Sequence, residues 1–332
     1  MKFTYRGFAV AMAAVLVASL PMTALAQKDD KKRSKAEKEE IETIVKMTDA
    51  AMAGQPAPTD VTMKIEPVFL KSAEARIFCP FTLEITGLPQ KDAVLYIRVV
   101  DPTQKTDGKK KVEYPWDDVH FVPAAQLAGS PARLRRVFMA KPGTYDVYIM
   151  AKERAAEKGP KTPVKAGLYK GSVTVPDLAS EFTTSSVLVA DKVNILTAPL
   201  SADESRERPF AFGTQELEPA ADMDFTKAEE LSIFFQVYNP GLNAGGKPDL
   251  TLEYSFMKKD GAEEKFFNKT NPQAVNESNL PPQFDPARFP VPGGITVPLK
   301  SFPEGEYRLE IKVTDKTSSK VLSRDVKFTV KP

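Results

Sequence analysis

From residue 61 to the C-terminus the chain is written in short segments that alternate apolar and polar residues, separated by Gly, Pro, Asn and Asp. A period of two puts every second side chain on one face, which suits a strand with one face on a core and suits no helix. Ala93, Leu95, Ile97 and Val99 alternate in this way, as do Leu250, Leu252, Tyr254 and Phe256. No long helical pattern separates such segments, so a parallel sheet with crossover helices is not expected. The grammar predicts an all-β protein of antiparallel sandwiches.

The pattern also repeats. Pro142-Gly143-Thr144-Tyr145 leads into Val147, Ile149 and Ala151, and Pro303-Glu304-Gly305-Glu306-Tyr307 leads into Leu309, Ile311 and Val313. Each is followed by a further β segment, and upstream Ile77-Phe78-Cys79-Pro80-Phe81 corresponds in placement to Ile233-Phe234-Phe235-Gln236-Val237. Two sandwiches in tandem account for this, with expected boundaries of 61–192 and 193–332.

The Pro-Gly-x-Tyr lead resembles the tyrosine corner of immunoglobulin-like and fibronectin type III-like domains, in which the ring caps the core and the hydroxyl bonds to nearby backbone. The blocks around 78–85 and 209–239 also resemble segments of uncharacterised exported bacterial proteins built from tandem sandwiches of this kind. Some of those carry a Gly-Trp-x-Thr-Asp motif, which is missing here because the only tryptophan, Trp116, follows Pro115. The resemblance implies a fold over 61–332 and structural roles for Tyr145 and Tyr307. It carries no activity across.

Residues 1–26 read as an export signal. Lys2 and Arg6 are followed by an uncharged apolar run over 8–20, and Ala24-Leu25-Ala26 has the small-x-small pattern of a signal-peptidase site, so the mature chain is expected to begin near Gln27. The run is too short for a membrane span, and the mature chain is expected to hold no transmembrane segment and to be periplasmic or extracellular. Residues 27–60 form a separate expected unit. A charged stretch leads into Ile41, Ile44, Val45 and Met52 near one helical face, and Gly54-Gln55-Pro56-Ala57-Pro58 stops the pattern, predicting a short amphipathic helix and a Pro-rich linker.

The chain has 46 Lys and Arg against 44 Asp and Glu, and without Lys2 and Arg6 the two signs balance at 44 each. Nucleic acid, bound chiefly by clustered cationic charge, is therefore not an expected partner. The single cysteine, Cys79, allows no intramolecular disulfide even in an oxidising compartment, and its place beside Ile77, Phe81 and Leu83 on one strand face marks it as a buried structural residue.

Candidates for chemistry are few. The one histidine, His120, follows Trp116-Asp117-Asp118-Val119, but a zinc site wants three or four ligands and a serine triad needs a nucleophile elbow that the chain lacks. A calcium loop beginning at Asp222 and Asp224 runs into Thr226 and Lys227 where it would need a third oxygen ligand and a glycine. No catalytic residue, metal or cofactor is assigned, and the protein is not expected to be an enzyme.

Recognition is left to loops and sheet edges. The stretch 268–294 has little β pattern and holds Phe284, Arg288 and Phe289 among prolines, while 101–131 holds Trp116 and Phe121. Aromatic residues with Arg supply binding hot spots. The expected role is that of an exported, non-catalytic binding or structural protein of the cell envelope, with a protein or envelope component as partner. Alternatives are a carbohydrate-binding accessory module stacking sugar on Trp116, a carboxylate-based hydrolase, and a periplasmic chaperone.

Overall fold

A computed structural model of the chain describes residues 6–7, 33–72, 75–104, 112–155 and 163–332. The apolar run 8–20 and the Ala24–Ala26 site of the expected signal lie outside these residues. Strand accounts for 52% of the structure and helix for 10%, so the protein is all-β. The described residues fall into two compact units, 33–177 with 202–209, and 178–201 with 210–332, the latter also taking Arg6–Gly7.

In the first unit a helix, α1 (Lys35–Met52), precedes, among the described residues, seven strands longer than two residues: β1 (Thr62–Pro67), β2 (Ile77–Thr86), β3 (Ala93–Val100), β4 (Trp116–Val122), β5 (Ala132–Ala140), β6 (Gly143–Glu153) and β7 (Ala166–Val175). One sheet has the order β1-β2-β5, with Leu70–Lys71 continuing the β1 side, and the other has the order β4-β3-β6-β7. A six-residue helix, α2 (Ala202–Glu207), completes this unit. The inward rows Cys79, Phe81 and Leu83 on β2 and Leu95, Ile97 and Val99 on β3 are buried almost completely. Ile97 and Val99 are β-branched and Phe81 aromatic, types that a pleated core-facing surface favours.

The second unit repeats this plan with β8 (Leu188–Ile195), β11 (Glu230–Tyr238), β12 (Leu250–Asp260), β13 (Glu263–Lys269), β14 (Val291–Pro298), β15 (Gly305–Asp315) and β16 (Lys320–Lys331). Its sheets run β8-β11-β14 and β13-β12-β15-β16. Numbered within each unit, the strands give 1-2-5 and 4-3-6-7 in both. Additions in the second unit are β9 (Gln215–Pro219) beside β8 and β10 (Asp224–Thr226) parallel to β16. Inward residues from both sheets, including Ile233, Phe235, Tyr254, Ile295, Ile311 and Phe328, share one hydrophobic cluster. Within it the Phe302 ring meets Phe256 edge-on at 5.2 Å, and Tyr307 stacks on Phe328 at 5.3 Å.

Two boundaries differ from the expectation. The first unit ends at 177 rather than 192, because β8 pairs with β11 through Leu188 and Phe234 and so opens the second unit. Residues 202–209 then return to the first unit, an excursion that local pattern cannot reveal. Trp116 and Phe121, expected in a loop, lie on β4, where the pair Asp117-Asp118 obscures the alternation. Likewise β14 begins at Val291, inside the stretch expected to be irregular.

Helix α1 begins at a capping box in which the Ser34 hydroxyl accepts from the Glu37 amide and the Glu37 carboxylate accepts from the Ser34 amide. Its buried residues are Glu40, Ile44 and Thr48, one per turn, and Ile44 packs on Val94, Tyr96 and Met150 of the β4-β3-β6-β7 sheet. The helix is therefore docked, on a stripe that includes a glutamate. Ala53 caps its end and Gly54, at φ 87°, turns the chain away.

Candidate functional site

Strand β4 presents Asp118 and His120 on the same side as Trp116, since alternate residues share a face. Strand β5 contributes Arg136, a short turn of 3-10 helix (Ala124–Leu127) contributes Gln126, and α2 contributes Arg206 and Glu207. These side chains form the densest polar cluster involving the sole histidine.

Arg206 donates from Nη2 to Asp118 Oδ2 at 2.6 Å, while the other Asp118 oxygen accepts from the Val119 amide at 3.0 Å. His120 Nε2 is 3.4 Å from Asp118 Oδ2 and makes no hydrogen bond. Arg136 donates to Gln126 Oε1 at 3.1 Å and to the Arg135 carbonyl at 2.7 Å, and it is 2% exposed. Gln126 reaches Glu207 at 3.5 Å.

Burial holds the His120 pKa down to about 3, with Asp118 opposing the shift and Arg136 and Arg206 adding to it. Its imidazole is thus neutral over the range in which a histidine base or acid works. Asp118 is engaged by a guanidinium, and among the described residues no group of three or more His, Cys, Asp and Glu stands close enough to hold a metal ion. The cluster fastens α2 to the open side between β4 and β5.

Cys79 is fully buried, and burial pushes its thiol well above the ordinary value. Tyr145 is 7% exposed and Tyr307 3%. They occupy equivalent positions near the starts of β6 and β15, and Tyr307 donates its hydroxyl to the Pro303 carbonyl at 2.6 Å.

Three of the expected recognition residues, Phe284, Arg288 and Phe289, lie together in the second unit, and Trp116 lies in the first. Phe284 is 7% exposed and belongs to the second unit's core, with Phe289 packed against that core and its ring centroid 6.5 Å from that of Phe284. That burial takes Phe284 off the free surface. A phenylalanine that anchors its own loop leaves no periodic signal in the sequence, so its inward direction was not legible. Arg288 stands exposed, its guanidinium 5.7 Å from the Phe289 ring centroid. Trp116 is half-buried and its indole nitrogen is shielded from solvent.

The second unit also carries an open groove of about 650 Å³ lined by Lys259, Glu264, Glu306, Arg308 and Lys327. Its charges largely satisfy one another: Lys259 pairs with Glu306 at 2.7 Å, and Arg308 reaches Glu264 and Asp325 at 2.8 Å each.

A scan against models of protein families finds no match, and a search of curated proteins finds no significant relative.

Proposed function

We propose that the chain is an exported, non-catalytic binding or structural protein of the cell envelope, built from two tandem immunoglobulin or fibronectin type III-like sandwiches that engage a protein or envelope component. The observation that carries this reading is the repeated 1-2-5 and 4-3-6-7 strand order, with its chemically distinctive residues turned into the scaffold. His120 is locked in an ion-paired cluster and Cys79 lies in a core row, so both serve the fold. Edges and loops on such scaffolds are where recognition surfaces arise. Arg288 and the outer part of Phe289 form the loop surface favoured for contact, with Phe284 as its anchor.

The test is affinity capture of the full chain from native envelope extract, alongside an Arg288→Ala/Phe289→Ala variant and thermal melting of both. A stoichiometric partner held by the wild type and lost by an equally stable variant supports the reading. Capture of no stoichiometric partner opposes a binding role, and equal capture by both chains removes this loop from it.

A further inference from the structure

The two units share a strand order and differ sharply on one surface. In the second unit the outer face of β12 and β15 carries Thr251, Glu253, Ser255, Arg308, Glu310 and Lys312, the ordinary wet side of a sandwich. The equivalent face of β3 and β6 carries Val94, Tyr96, Arg98, Tyr148, Met150 and Lys152, every one of them buried. Cross-strand pairs order this face into rows: Phe121, Val94 and Lys152; Val119, Tyr96 and Met150; Asp117, Arg98 and Tyr148. Since the second unit folds with a polar version, the apolar rows answer to what lies on them, which is α1.

Two ion pairs set the helix's register. Glu40 lies 2.6 Å from Lys152 Nζ, with both side chains nearly buried, and its other oxygen accepts from the Ala155 amide at 2.9 Å. Asp49 pairs with Arg98, which is 3% exposed and donates from Nε to the Tyr96 hydroxyl at 2.8 Å. Ile44 fills the space between. A cation taken out of water needs its counter-charge, so this face accepts an amphipathic helix with carboxylates nine positions apart and discriminates against one without them. An 18-residue helix is marginal alone and draws its order from the face it covers.

We infer that the outer face of β4-β3-β6-β7 is a receptor for this acidic helix and that it takes α1 from a second copy of the chain when docking within one chain is blocked. The contacts are identical in both arrangements, so only effective concentration favours the helix's own chain. The tether, residues 53–58, ends where Thr59 bridges to Gly167; it has Gly54 at φ 87° and prolines at 56 and 58, and it can extend to about 20 Å, which sets how close a neighbouring molecule's face must come.

The experiment uses two full chains, Glu40→Lys and Lys152→Glu. Each places like charges together within its own chain, while the helix of the first complements the face of the second. Mixed in equal amounts, they are expected to give a species of twice the monomer mass by native mass spectrometry, absent from either alone. The Glu40→Lys/Lys152→Glu chain is expected to be monomeric with α1 docked again. A mixture that stays monomeric while both variants keep their sheet circular dichroism overturns the inference. If either variant fails to fold, wild-type amide exchange decides. Exchange of α1 as a unit at least tenfold faster than β3 and β6 supports a releasable helix, and protection equal to those strands overturns it.

Discussion

The imidazole of His120 is held neutral by burial, and that makes acid a specific solvent for the first unit. Its folded pKa of about 3 lies below the ordinary 6.5, so the unfolded chain binds the proton first as pH falls. Stability from this group is complete above about pH 6.5 and is lost progressively towards pH 3, at up to about 1.4 kcal/mol per pH unit. Between pH 7 and 5 the wild type should lose about 2 kcal/mol through His120, and His120→Gln should lose correspondingly less, measured by urea unfolding at the two pH values. Equal losses in the two proteins would place the acid sensitivity elsewhere. In the second unit, Tyr307→Phe deletes only the hydrogen bond to Pro303, costing about 1 kcal/mol, whereas Tyr307→Ala also empties a ring-sized space and should cost about 3–5 kcal/mol. A Phe variant as damaged as the Ala variant would mean the hydroxyl, not the ring, carries the corner. The direction of Cys79 could be read from its strand because period two is a local property. That of His120 could not, since the residue that covers its neighbourhood, Arg206, is supplied from 86 positions away.

At the scale of elements, β3 separates what periodicity tells from what it hides. Ala93, Leu95, Ile97 and Val99 mark the core face, yet Val94 and Tyr96 between them are equally buried, because α1 covers the opposite side. A strand apolar on both faces signals a cover on each, and the run Ala93-Val94-Leu95-Tyr96-Ile97 carries that signal in the sequence itself. The helix itself was legible in position but not in face: its stripe reads Glu40, Ile44 and Thr48 because Lys152 makes a buried glutamate tolerable. Its start depends on Ser34. Ser34→Ala removes the hydroxyl that accepts from the Glu37 amide, leaving the bond from its own amide to the Glu37 carboxylate, and should cost about 1 kcal/mol, raising amide exchange across the first turns of α1 about fivefold without changing that of β15. Unchanged exchange in the helix would show that docking alone fixes its first turn.

The whole molecule does not divide where its sequence pattern changes. Strand β8 opens the second unit, the chain then passes through α2 in the first, and it resumes the second at 210. An element can thus belong energetically to one unit while lying in sequence between strands of the other. Arg206 makes this measurable, because its pair with Asp118 leaves the two side chains only 16% and 9% exposed. Removing one partner strands the other charge in a poorly solvated place, which by analogy with buried pairs costs about 3–5 kcal/mol. The single tryptophan, Trp116, lies on β4 of the first unit and reports on that unit alone. Arg206→Ala should therefore lower the denaturant midpoint seen by tryptophan fluorescence, while the Tyr307→Ala change should leave that midpoint in place and move only the transition of the second unit, followed by amide exchange of β15. If Arg206→Ala leaves the fluorescence midpoint untouched, α2 does not stabilise the first unit, and the cluster around His120 holds together without it.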